Sequence, residues 1–205
     1  MGLHKRDVGT VRTAGINGWW FPMLVILLAL VLVLGGESAR LGLRFDRTGI
    51  LSGELWRLVT GHFVHLGAPH FALNAAGLAL VWYLVGTAYN WRNWLLVAAV
   101  SLVTMDLGLW IVNPTLDWYV GLSGLLHAFL AAGLVRRMSK TDTETLVLTA
   151  LLLGKLAWEQ LSGPLPGSEG TAGGSVVVDA HLFGALGGAL TAIALRIRTR
   201  RGTPI

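Results

Sequence analysis

Apolar residues along this chain gather into long runs instead of alternating or recurring at the spacing of an amphipathic helix. The runs fall at roughly 20–35, 69–86, 94–112, 121–135, 144–161 and 180–195, and most of the charge lies between them. A helix needs about 20 predominantly apolar residues to cross a bilayer. The pattern therefore predicts an all-α membrane protein, six transmembrane helices in a single domain over 1–205, with short loops and no separate soluble unit. The first run follows Lys5, Arg6 and Arg12 as a signal peptide would. No small-residue cleavage site follows Leu34 before Gly35-Gly36-Glu37, so the run reads as a retained helix.

Composition agrees: 54 % of the 205 residues are hydrophobic and 13 % charged, against about a quarter charged in soluble domains. With no cysteine, disulfides, thiolate nucleophiles and Cys-ligated metals are excluded. The net charge of +5 would raise nucleic acid as a partner in a soluble protein, but here Lys and Arg sit at the ends of apolar runs, which is a topology signal. Lys5, Arg6 and Arg12, then Arg92, then Arg136, Arg137 and Lys140, then Arg196, Arg198, Arg200 and Arg201 mark alternate loops. The positive-inside rule then puts both termini in the cytoplasm and 36–68, 113–120 and 162–179 outside. Arg40, Arg44, Arg47 and Arg57 break that pattern, and the long, mixed loop holding them is expected to fold on or in the membrane interface. The Gly-, Ser- and Pro-rich stretch 162–175 reads as a mobile loop.

Polar side chains in apolar runs are costly and commonly mark function. His70 and Asn74, four apart, share a helix face just after Pro69, which suits a helix's first turn. Gly121-Leu122-Ser123-Gly124 sets a hydroxyl at an expected helix start, where free N–H groups and the positive dipole end stabilise an anion. His181, Gly184 and Gly188 line one stripe whose small residues admit a close neighbour. If that neighbour is the Ser123 helix, His181 reaches Ser123 as the general base that a weakly nucleophilic hydroxyl needs. Read separately, each set also suits interior hydrogen bonding or tight helix packing.

A carboxylate completing a triad is not apparent. Asp179 lies about 200° of helical rotation from His181, and Lys155 and Glu159, four apart, read as an intrahelical pair that reduces their own desolvation cost. A Ser-His dyad is expected. Asp106 is expected to make an interhelical hydrogen bond. Among the six histidines, His65 and His70 are five apart and off-face for a shared metal, so no metal or other cofactor is expected.

Together these residues resemble the rhomboid family of intramembrane serine proteases. The matching elements are His65-x4-His70-x3-Asn74, Gly121-Leu122-Ser123-Gly124 and Ala180-His181-x2-Gly184, continued by Gly188, with Trp56-Arg57 matching a Trp-Arg element of the first outer loop. The resemblance implies a six-helix rhomboid-like bundle with Ser123 as nucleophile and His181 as base. It implies an oxyanion hole formed by the Ser123 backbone N–H, His70 and Asn74, and a structural or water-retaining His65. His127 stands where many rhomboids have a tyrosine packed on the catalytic histidine; it is expected to stack on or hydrogen-bond His181, or to fill space. The Gly-Leu-Ser-Gly-Leu-Leu-His string and the short chain look like the rhombosortase branch. That branch is implied to process secreted bacterial proteins at C-terminal tails made of a glycine-rich motif, an apolar helix and basic residues. The implied partners are single-pass membrane substrates and the lipid bilayer, and the implied location is the bacterial inner membrane with the site facing outward. The rivals are a non-catalytic rhomboid-like binding protein, a small transporter, whose polar groups would spread through the membrane depth, and a helix-packing protein, which has no need of His70, Asn74 and His181 together.

Overall fold

The computed structural model describes residues 18–138 and 142–200. Six long helices follow the six apolar runs: α1 (Trp20–Leu34), α5 (Ala68–Val85), α6 (Trp91–Ile111), α7 (Ser123–Arg137), α8 (Thr143–Ser162) and α10 (Asp179–Arg200). Short elements join them: α2 (Gly36–Leu43), α3 (Arg47–Leu51), α4 (Arg57–Thr60) and α9 (Ser168–Ala172), with the two-residue strands β1 (Phe45–Asp46) and β2 (Trp118–Tyr119) paired antiparallel. Among the described residues, α5 with the turn after it, α6 and α10 are long and apolar enough to cross a membrane, and α1 with α2 adds a fourth candidate if that bent pair is one span. This is an integral membrane protein of mostly helical build; the expected count of exactly six spans is more than length and composition carry, because α7 is short and α8 holds Glu144, Lys155 and Glu159.

Local chemistry sets the boundaries. Asn90 caps α6 through Asn93 N–H at 3.0 Å and Asp142 caps α8 through Thr145 N–H at 2.7 Å, each supplying an acceptor to a helix-start donor. Capping by Asn90 starts α6 ahead of its apolar run. The chain turns by 112° between α1 and α2, with Gly36 at φ 64°, a conformation that glycine adopts without Cβ strain.

α7 is the central helix, with Leu125, Ala128, Phe129, Ala132 and Leu134 buried. α10 lies directly against it because Gly184 and Gly188 have no side chain: a Cβ on either would collide with the carbonyl oxygens of Gly124 and Ala128 respectively. Small residues at the contact let the two backbones touch, which is how helices pack where lipid removes the hydrophobic drive.

Of the arginines that broke the charge pattern, Arg40, Arg47 and Arg57 donate to backbone carbonyls, while Arg44 pairs with Asp46 at 2.8 Å. Arg47 donates to the carbonyls of Leu109 at 3.0 Å, Asn113 at 2.9 Å and Leu116 at 3.2 Å, closing the C-terminal end of α6, and lies over the Trp110 ring. Buried Arg57 donates to the carbonyls of Leu41 at 2.9 Å and Arg44 at 3.0 Å and pairs with Glu54. Trp56 is exposed and donates to the Gly42 carbonyl. Cations at helix C-termini satisfy orphan carbonyls and suit the dipole, so these charges hold the loop together. The stretch expected as a mobile loop over 162–175 departs from that reading: it contains α9, buries Ala172 and brings Gly174 against Leu66. Of the topology-marking residues, Lys5, Arg6, Arg12, Lys140 and Arg201 lie outside the described residues.

Candidate active site

The starts of α5, α7 and α10 and the end of α8 converge at one end of the bundle. Ser123 is the first residue of α7, so its N–H is among the four that have no acceptor within the helix. The segment ahead of it is clamped: Gly121 N–H donates to the Gly61 carbonyl at 3.1 Å, and the hydroxyl of buried Tyr119 donates to the Gly121 carbonyl at 2.6 Å. Those bonds keep Gly121, at φ 136°, outside α7, which is why the helix begins two residues after its apolar run.

Buried His181 comes from the first turn of α10, and its Nε2 lies 2.9 Å from Ser123 Oγ. The glycine stripe makes this possible, since the contact depends on how closely α10 approaches α7. His127, one turn along α7 from Ser123, stacks on the His181 ring with centroids 4.2 Å and planes 18° apart, while its Nδ1 bonds the Ser123 carbonyl at 2.7 Å.

On α5, His70 Nδ1 accepts the Leu66 N–H at 3.3 Å, which leaves its proton on Nε2. A side chain at Gly121 would meet His70 Cε1 and Nε2 at 3.1 and 3.3 Å and Ser123 Oγ at 3.8 Å; His70 and Ser123 therefore flank one small space that glycine keeps open. Asn74 is buried, and its Nδ2 makes no hydrogen bond, an unusual cost for a buried donor unless a ligand atom arrives to accept it. His65 packs edge-on against the His70 and Phe71 rings. In this loop ahead of α5, burial first and the neighbouring His70 charge second pull His65 down to about 4, so it is neutral near pH 7.

No carboxylate was expected beside His181, and the structure places one there. Glu159, on the last turns of α8, is buried and places Oε2 3.0 Å from His181 Nδ1, while its Oε1 pairs with Lys155 Nζ at 2.6 Å. The intrahelical pair read from the sequence exists, but its carboxylate also faces His181. Asp179 points elsewhere, accepting from Asn113 Nδ2 at 2.5 Å. Asp106, expected to bond another helix, instead meets His62 Nε2 at 3.0 Å in the turn between α4 and α5. His62, fully buried beside the Tyr119 ring, was not singled out by any spacing.

His127, Glu159 and His181 bring ligand-type atoms within 4.8 Å of one another. Stacked imidazoles direct their nitrogen lone pairs side by side instead of at one point, His127 Nδ1 is already bonded to backbone, and the Lys155 ammonium sits 3.4 Å from His181 Nδ1. The donor set does not suit a cation.

A sequence profile for the Rhomboid domain matches residues 52–198, spanning every one of these side chains. The chain belongs to the rhomboid family. It is also similar to the Bacillus subtilis (strain 168) protein named "Putative rhomboid protease YdcA", 25 % identical over 142 residues, covering 69 % of this chain and 68 % of that one. In this rhomboid the motif side chains Ser123, His181, His70 and Asn74 lie within the first two turns of α5, α7 and α10.

Proposed function

We propose that this rhomboid is an intramembrane serine protease with Ser123 as nucleophile and His181 as general base. The observation that carries the reading is the 2.9 Å approach of His181 Nε2 to Ser123 Oγ, beside a small space flanked by unspent donors. As Oγ attacks the scissile carbonyl carbon, its proton passes to Nε2 and the carbonyl π pair moves onto oxygen. That oxyanion is received by the Ser123 N–H, the His70 Nε2–H and the Asn74 Nδ2–H groups. Collapse of the intermediate breaks the C–N bond, and the Nε2 proton goes to the leaving amine. Water then loses a proton to His181 and attacks the acyl-enzyme, releasing the carboxylate and regenerating Ser123. Gly121 keeps the oxyanion space clear, and Gly124, Gly184 and Gly188 hold α7 and α10 at the required separation.

The substrate class is a single-pass membrane segment entering from the bilayer, because a helical peptide bond must be unwound before a nucleophile reaches it. We further propose a rhombosortase-like specificity for C-terminal tails with a glycine-rich motif ahead of an apolar helix and basic residues. The proposed location is the bacterial inner membrane, with six spans, cytoplasmic termini and the site facing outward. Reconstitution in liposomes with a fusion protein ending in such a tail tests this: the wild-type protein cuts the fusion at the glycine-rich segment and Ser123→Ala does not. A tail left intact while other single-pass substrates are cut removes the branch assignment. A fusion cut equally by Ser123→Ala removes the mechanism.

A further inference from the structure

Resting on that proposed reaction, we infer that Glu159 is a positioning residue for His181, making the site a Ser123-His181-Glu159 triad, with Lys155 holding the carboxylate's second oxygen. The juxtaposition that carries it is Glu159 Oε2 at 3.0 Å from Nδ1 on one edge of the imidazole and Ser123 Oγ at 2.9 Å from Nε2 on the other.

Neutral imidazole carries one proton, and the reaction requires it on Nδ1 so that Nε2 is free to accept from Ser123. Two groups compete for Nδ1. The carboxylate of Glu159 accepts a proton and selects the Nδ1–H tautomer. The Lys155 ammonium, 3.4 Å away, only donates, and alone it would select the opposite, inactive tautomer. Glu159 is the nearer of the two and its Oε1 also engages Lys155 Nζ at 2.6 Å, so the ammonium is drawn onto the carboxylate and away from the ring. The same carboxylate then stabilises the imidazolium that forms when Ser123 gives up its proton, and it remains ionised throughout. Keeping a carboxylate in this nearly closed site requires a counter-charge, which Lys155 supplies from the same face of α8 four residues earlier.

The other groups around His181 do not substitute for Glu159. His127 from α7 lies flat on the ring face and its bonded nitrogen is committed to the Ser123 carbonyl. His70 from α5 is a second imidazole on the Ser123 side of the site. Asp179, on α10 itself, is engaged by Asn113. α8 is the element that brings a carboxylate to Nδ1.

The test compares kcat, KM and pH–rate profiles of the purified wild-type protein, Glu159→Gln, Glu159→Asp and Ser123→Ala on one membrane substrate. Glu159→Gln presents an amide that can donate to Nδ1. It is expected to lower kcat by about 10²–10⁴-fold, the range of a general-base contribution, with KM little changed and the acidic limb of kcat/KM moved to lower pH. Glu159→Asp, a carboxylate on a shorter stem, is expected to recover part of kcat and the wild-type profile. A second measurement reads the wild-type protein itself and uses a variant for assignment alone: nitrogen NMR of ¹⁵N-histidine-labelled wild type, assigned by His181→Ala, should give the Nδ1–H tautomer for His181. Glu159→Gln turning over at the wild-type rate with an unchanged profile, or an Nε2–H tautomer in the wild type, overturns the inference and leaves the protease reading standing. A wild-type protein that cuts no better than Ser123→Ala overturns both.

Discussion

His127 lies flat against His181, ring centroids 4.2 Å and planes 18° apart, while its own Nδ1 is tied to the carbonyl of Ser123. The ring at position 127 is thus a second imidazole that covers one face of His181. An aromatic pair contributes about 0.5–1.5 kcal/mol beyond area burial, at most about tenfold in rate. His127→Ala should lower kcat by up to about tenfold, and His127→Phe, which keeps the stack, should stay near wild type. Steady-state kinetics checks this, and a Phe variant as slow as Ala would mean that the Nδ1 contact to Ser123 matters more than the ring face.

The donors on α5 should be read in kcat. Asn74 Nδ2 has no partner in the free protein, and His70 Nε2 borders the same space as Ser123 Oγ. Asn74→Ala and His70→Ala are each expected to cost about 10²–10³ in kcat, as loss of one oxyanion donor does elsewhere, with little change in KM. A KM effect with kcat preserved would assign these side chains to substrate binding instead.

The contact between α7 and α10 is backbone on backbone, so it has no slack. Gly184→Ala and Gly188→Ala place a methyl onto the carbonyls of Gly124 and Ala128 and should each lower stability by about 1–3 kcal/mol, the usual cost of overpacking. Gly154, on α8, faces open space, so Gly154→Ala should leave the unfolding midpoint unchanged or slightly raised. Thermal unfolding in detergent compares the three, and activity should fall furthest for Gly184→Ala, because Gly184 lies one turn from His181.

In the first outer loop, Arg57→Ala strands the carbonyls of Leu41 and Arg44 and the Glu54 carboxylate. Hydrogen bonds to charged groups are worth about 1.5–3 kcal/mol, and the variant should melt correspondingly lower. Arg40→Ala, which removes an exposed pair with Glu37 and a 3.3 Å bond to the Leu66 carbonyl, should change the midpoint far less, since exposed ion pairs contribute about 0–1 kcal/mol. Equal losses in both variants would contradict the capping role assigned to Arg57.

Much of this arrangement is written locally in the sequence, and what is not has a common physical reason. Long apolar runs specify helices whatever they pack against, so the six long helices were legible, and the glycines at 184 and 188 announced a close neighbour. Ser123, His181, His70 and Asn74 were legible because each sits on a short motif with a fixed helical offset. The start of α7 was not, because Gly121 is held out of the helix by Tyr119 and by the Gly61 carbonyl, contacts distant in sequence for the latter. Helical structure at α9 was obscured by composition that favours loops. Glu159 was seen only as a partner of Lys155, since nothing in α8 states that its polar face meets α10; two charges four apart on an apolar helix were the signal, and the third partner is a tertiary fact. His62, in the turn after α4, was missed for the same reason: its meaning comes from Asp106, distant in sequence on α6.

The central claim is that His181 activates Ser123. Labelling of the detergent-purified protein by a fluorophosphonate probe tests it most directly, with wild type compared against Ser123→Ala and His181→Ala. The account predicts labelling of the wild type that is abolished in Ser123→Ala and nearly abolished in His181→Ala. A folded wild type that does not react, together with a membrane substrate left uncut, would contradict it and favour a rhomboid that binds membrane segments without cleaving them.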